Sequence, residues 1–217
     1  MIALDLRGHG LSAHAGSYSF ADYAADLLSL LDELRLTRVP VAGHSLGGYV
    51  ALLAAARGDR IGGVLAVDVK SNWTAADAEL AERARTGSQR VEDDRAKLVD
   101  RLARTLQPVE LAPDELELLA ERSIEPVEGG WRFRWDRRVL ATEPVEPFAF
   151  LPDVRCPVRV MAGFDSEVMA PDAARRFAGA IPAAVCEVVD GAGHHVELEA
   201  PARVAERVRE LASVDSL

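Results

Sequence analysis

The chain has 217 residues, 49% of them hydrophobic, and a formal charge of −10. That length suits one domain, or one domain with a sizeable insertion, and the apolar content is ample for a core. The negative balance argues against nucleic acid and anionic membrane surfaces as partners. No apolar run approaches the ~18 residues of a membrane span, and the N-terminus lacks a charged-then-apolar leader, so a cytoplasmic protein is expected.

Met1–Asp5 reads as a short buried strand, followed by the loop Leu6-Arg7-Gly8-His9-Gly10. A helix is predicted from Phe20 to Leu34, with Phe20, Tyr23, Ala24, Leu27, Leu28, Leu31 and Leu34 on one face. Ser19 is its expected N-cap. A strand at Val39–Ala42 then turns through Gly43-His44-Ser45-Leu46-Gly47 into a helix that Gly58 ends. Gly63–Asp68 is another buried strand, and strands alternating with helices predict a mostly parallel sheet with crossover helices.

Residues 71–148 have a different texture. They are charged, helical in pattern, and broken by Pro108, Pro113, Pro126, Pro144 and Pro147; Gly129-Gly130 leads into the aromatic-basic stretch Trp131-Arg132-Phe133-Arg134-Trp135-Asp136. Strand texture resumes at Val158–Ala162, a helix opens on Pro171, a strand covers Ala184–Val189, and the last helix follows Pro201 to about Ser213. The expected organisation is a core of residues 1–70 and 149–217 interrupted by a helical lid at 71–148. Cys156 and Cys186 are too few for a disulfide framework; each lies in a strand region and is expected as a buried free thiol.

Ser45 carries the chemistry. A G-x-S-x-G pentapeptide between a strand and a helix lifts a serine hydroxyl above the sheet edge; the bland alternative is a turn whose serine caps the helix. A serine hydroxyl is a poor nucleophile at neutral pH and needs an imidazole to take its proton.

Asp5-Leu6-Arg7-Gly8-His9-Gly10-Leu11-Ser12, then Gly43-His44-Ser45-Leu46-Gly47-Gly48, then Gly191-Ala192-Gly193-His194 resemble, in order, the signatures of the α/β-hydrolase superfamily. The resemblance covers nearly the whole chain outside the lid. It implies that Ser45 attacks, that His194 is general base and then general acid, and that the Leu46 N–H is one oxyanion donor. His195 is the rival base and, like His44, a candidate for the pocket wall. The family places its acid after the strand corresponding to Val158–Ala162, commonly three residues past the glycine, where this chain has Ser166. Asp165 is the favoured acid, Glu167 the next, and Asp68 the third, because some relatives recruit theirs there.

The departure is at the front. In the family, the Asp-x-Arg-Gly-x-Gly-x-Ser loop follows the fourth strand, and the second oxyanion donor comes from a loop further upstream. Three explanations were open: a start upstream of Met1, a first strand that slides beside Val39–Ala42, or a gap filled by another chain. The second is the expectation for a compact structure. The loop Gly8-His9-Gly10 would then approach the site.

Trp73, Trp131, Phe133 and Trp135 are expected chiefly to close the lid's own core, with Trp73 and Trp135 as candidates for a pocket. Asp5 and Arg7 are expected to hold their own loop. No His, Cys and carboxylate cluster has metal-ligand spacing, so no metal and no cofactor are expected. The reading is a serine hydrolase that cleaves an ester or related acyl bond of a small, largely uncharged molecule. The alternative is a non-catalytic or weakly active small-molecule binder with an incomplete oxyanion hole. The oligomeric state is not legible.

Overall fold

The computed structural model describes residues 1–142 and 146–213, so Pro144 lies outside the described residues. It divides into two compact units: Met1–Ser19 with Thr74–Glu143, and Phe20–Trp73 with Pro144–Leu217.

The second unit holds a parallel four-stranded sheet ordered β1 (Val39–His44), β2 (Ile61–Val67), β5 (Val158–Gly163) and β6 (Ala184–Val189). β2 and β5 lie inside and are almost wholly buried, which is why both read as continuous apolar runs. Helix α1 (Phe20–Glu33) buries Phe20, Tyr23, Ala24 and Leu31 and lies against α2 (Leu46–Ala55), while Leu34, just past its end, is exposed. Along β2, side chains alternate between faces. Leu65 and Val67 join Met161, Ala192 and Val196 in a core capped by Val204, Val208 and Leu211 of α9 (Pro201–Ser213). Burying each such Leu or Val contributes roughly 2 kcal/mol. Helix α7 (Pro171–Gly179) packs on β5 and β6 and buries Phe177. Glu187 on β6 accepts from Arg207 Nε at 2.8 Å and from Arg159 at 3.1 Å, joining β5, β6 and α9.

The expected strand at Met1–Asp5 does not form. Residues 1–6 have no regular structure, and none pairs with β1. They group instead with residues 74–143, which differs from the expected boundaries at 70 and 149. The reason is polar. Asp5 turns back on its own loop, its carboxylate accepting from Leu11 N at 2.9 Å, while Ser12 Oγ donates to the Asp5 carbonyl at 2.7 Å. Arg7 donates to the Ser17 carbonyl at 3.3 Å. Further on, Tyr18 donates to Asp136 Oδ2 at 2.6 Å, and Asp136 N donates to the Gly8 carbonyl at 2.7 Å. Exposed hydrogen bonds of Asp5 with its own loop thus hold the end of the segment that a strand would have used.

The first unit carries α3 (Ala75–Thr86), α4 (Arg95–Thr105) and α5 (Pro113–Ser123), helical as expected. It also contains an antiparallel hairpin of β3 (Ile124–Val127) and β4 (Gly130–Phe133). The helical expectation misses this pair, although Trp131 and Phe133 alternate with arginines as a half-buried strand requires. Both aromatics close on Leu98, Ala120 and Ile124, so they do complete this unit's own core. Both cysteines are free and half-buried, Cys186 within β6 and Cys156 just ahead of β5.

Candidate active site

The elbow is built by close backbone approach. A Cβ on Gly43 would collide with the Gly47 backbone, and one on Gly48 would lie 2.7 Å from the Gly43 carbonyl oxygen. Between them Ser45 sits at φ 49°, ψ −116°, a conformation costly for an L-residue. Its backbone N–H donates to Val67 O at 2.8 Å, which fastens the turn to the end of β2. Its hydroxyl makes no capping bond to α2, which removes the bland explanation for the serine. Leu46 opens α2, so its amide is one of the first-turn N–H groups that have no intrahelical acceptor.

Asp68 follows β2 directly. It is fully buried, at φ 45°, with its N–H donating to Met161 O at 2.7 Å. Its Oδ1 meets Nδ1 of His194 at 2.8 Å and accepts the Ser166 hydroxyl at 2.6 Å; its Oδ2 accepts from Gly163 N at 3.0 Å. Three donors therefore meet the carboxylate, and Nδ1–H of His194 is one of them. The opposite ring nitrogen, Nε2, is left as the proton acceptor. The loop bearing His194 passes so close to β5 that any side chain at Gly163 would strike the Gly193 and Ala192 carbonyls. Glu199 holds the same loop by accepting from Gly193 N at 2.8 Å.

The favoured acid, Asp165, is not at this site. Phe164 N and Asp165 N donate to Val189 O and Ala192 O, each at 2.9 Å, and this pinned turn points Ser166 inward. Asp165 and Glu167, on either side of it, are exposed. The carboxylate that reaches His194 is Asp68, the third candidate. Ser166 was missed as a functional residue, and its signal was legible: a hydroxyl in the slot where a carboxylate was expected implies that the carboxylate stands elsewhere.

His44 and His195 flank His194. The His44 ring lies 4.5 Å from that of His194, and the His195 ring 5.1 Å from it. His44 Nε2 donates to the His194 carbonyl at 2.9 Å. Burial holds the His44 imidazole below its ordinary pKa, against the pull of Glu197. Trp73 belongs to an aromatic cluster on α2, its ring edge-on to Tyr49 at 5.6 Å, with Phe20 4.3 Å from Tyr49. Burial pushes the Tyr49 hydroxyl upward in pKa. Trp135 belongs to the other compact unit, where it stands 6.3 Å from Phe133. Gly8, His9 and Gly10 lie in that unit too.

A parallel sheet with a serine on a strand-to-helix elbow, and a carboxylate and an imidazole in the loops after two further strands of the same sheet, defines the class of α/β enzymes that act at the carboxyl edge of their sheet. Residues 1–207 match the sequence profile of the Alpha/beta hydrolase family, and the chain belongs to that family. It is 32% identical over 211 residues to the 2-(acetamidomethylene)succinate hydrolase of Mesorhizobium japonicum, covering 92% of this chain and 73% of that protein. It is 26% identical to Esterase YbfF of Escherichia coli, covering 96% of this chain and 81% of that one. The crystal structure of E-2-(acetamidomethylene)succinate hydrolase superposes with a TM-score of 0.82 at 27% identity, over 95% of this chain and 79% of the other. The protein is an α/β-hydrolase-type enzyme. Among the described residues no helix is long and apolar enough to cross a membrane.

Proposed function

We propose that the chain is a serine hydrolase that cleaves the carboxylic ester, or a related acyl bond, of a small molecule. Ser45 is the nucleophile, His194 the base and Asp68 the acid that orients it. The observation that carries this reading is the 2.8 Å contact between His194 Nδ1 and the fully buried Asp68.

Ser45 Oγ attacks the acyl carbon as its proton passes to His194 Nε2. The imidazolium that results is stabilised by Asp68, which stays ionised. The tetrahedral oxyanion takes the Leu46 N–H, a donor typically worth about 10²–10³ in rate. His194 then protonates the leaving group, and water attacks the acyl-enzyme by the same steps in reverse. The named activities of the relatives, a succinate-derivative hydrolase and an esterase, agree with acyl transfer to water and leave the acyl group open.

The test is intact-mass measurement after treatment with a fluorophosphonate, followed by turnover of acyl esters of graded chain length. One adduct per chain, lost in Ser45→Ala and His194→Ala, is the expected result. A cooperatively folded chain that takes no adduct would sink the proposal.

A further inference from the structure

Sequence spacing gave no reason to expect a metal, yet the fold gathers a ligand set from two separate segments. His44 ends β1, whereas His195 and Glu197 lie beside the short helix α8 (Val196–Glu199) that follows His194. One nitrogen from each imidazole and one Glu197 oxygen all lie within 4.8 Å of one another. Glu197 Oε1 stands 3.4 Å from His44 Nδ1 and 3.3 Å from His195 Nδ1. Ligands held about 2.0–2.1 Å from a tetrahedral Zn²⁺ are separated by about 3.3–3.4 Å, so both spacings already match the edges of that polyhedron.

The protonation states fit as well. A carbonyl oxygen only accepts, so the 2.9 Å contact between His44 Nε2 and the His194 carbonyl places the proton of a neutral His44 on Nε2. Its Nδ1 then carries the lone pair, 3.4 Å from Glu197 Oε1. A ligating imidazole commonly donates its other N–H to a backbone carbonyl in this way. The second oxygen, Glu197 Oε2, is sealed from solvent and has no hydrogen-bond partner among the described residues.

We propose that His44, His195 and Glu197 form a three-ligand site for a divalent transition-metal ion of the zinc type, with a water in the remaining position, and that its occupation inhibits the enzyme. The second half rests on His194 being the catalytic base. An added dication beside the His44 ring opposes the imidazolium that His194 must become in the transition state. It also draws on the His44 N–H that holds the His194 carbonyl. The site acts as a brake on acylation rather than as part of the chemistry.

The test uses the full chain, stripped with EDTA and titrated with Co²⁺ as the spectroscopic substitute for Zn²⁺. One Co²⁺ per chain is expected, with the strong visible bands of a low-coordinate nitrogen and oxygen site and paramagnetic shifts on two imidazole rings in the unsubstituted protein. Glu197→Gln and His195→Asn should each weaken binding at least tenfold, which is about 1.4 kcal/mol. No saturable binding below about 1 mM, a thiolate charge-transfer band from Cys156 or Cys186, or an affinity indifferent to both substitutions overturns the site. The brake is read by the rate of fluorophosphonate labelling at Ser45, which should fall at least tenfold when Zn²⁺ fills the site. An unchanged rate with the ion bound overturns the brake. A chain that binds Co²⁺ but takes no label even when metal-free counts against the serine-hydrolase reading and leaves the metal site standing.

Discussion

The Ser166 hydroxyl donates at 2.6 Å to Asp68 Oδ1, the same oxygen that meets His194 Nδ1 at 2.8 Å. One carboxylate oxygen therefore serves both the His194 imidazole and a buried hydroxyl. That hydroxyl in turn accepts from Val168 N at 3.1 Å and Met169 N at 3.2 Å, so the turn after β5 and the carboxylate after β2 are locked together.

The two acid candidates separate cleanly by substitution. Asp68→Asn is expected to lower kcat by about 10⁴, because the amide favours the wrong tautomer of His194. Asp165→Asn, at an exposed position, should stay within about twofold of the parent. Steady-state turnover of one acyl ester on both variants decides it, and equal losses would count against Asp68.

Ser166 offers a rescue. Its side chain already reaches the oxygen that His194 uses, so a carboxylate one bond longer can take that place. Asp68→Asn with Ser166→Asp should recover at least tenfold over Asp68→Asn alone in kcat. Ser166→Ala by itself leaves the half-buried Val168 N–H and the buried Met169 N–H without this acceptor and should cost about 1–3 kcal/mol in chemical unfolding. A double variant no faster than Asp68→Asn would refute the shared-oxygen geometry.

Strain at the nucleophile predicts an exchange of stability against function. Ser45→Gly removes the penalty of φ 49° and should stabilise the chain by about 1 kcal/mol relative to Ser45→Ala, while both abolish labelling. Urea midpoints of the two variants are the measurement, and a glycine variant no more stable than the alanine one would contradict it.

The pH dependence of stability follows from His44. Its folded pKa is lowered, first by burial, so the unfolded chain binds more protons in the window below its ordinary value of about 6.5. Stability is then fully present above that value and is lost as pH falls through the folded one. His194, His195 and Glu197 face the same ring. Melting temperatures of metal-free protein should decline from about pH 7 to pH 5, and His44→Gln should flatten that decline. A slope untouched by the substitution would assign it elsewhere.

Asp136 anchors the front of the chain. Burial works to raise its carboxyl pKa, but hydrogen bonds from Arg138 and Tyr18 outweigh it and hold the group far below the usual carboxylate range. Asp136→Asn weakens bonds that an ionised acceptor makes stronger, and should cost about 2 kcal/mol. Hydrogen exchange should rise at Gly8 and nearby amides; protection equal to the parent would show that the network does not hold residues 1–19.

Much of this protein was local and therefore readable from the chain. The elbow needs only contiguous residues: a β-branched run, Gly43 beside a strained Ser45, and apolar helix formers after it. Likewise β2 and β5 announce themselves because a strand buried on both faces has no room for polar side chains. His194 was legible from its short glycine motif. What the sequence left open are choices between residues far apart along the chain. Asp68, Asp165 and Glu167 are chemically equivalent on paper, and only the fold, whose turn at 164–166 sends Ser166 inward and its neighbours outward, brings Asp68 rather than the other two against His194. Met1–Asp5 has strand composition, but the hydrogen bonds that Asp5 makes with Leu11 and Ser12 take its backbone away from any sheet. The meeting of His44, His195 and Glu197 has no signature in the chain, because it arises where the end of one strand and a distant loop are brought within a few ångströms by the sheet between them.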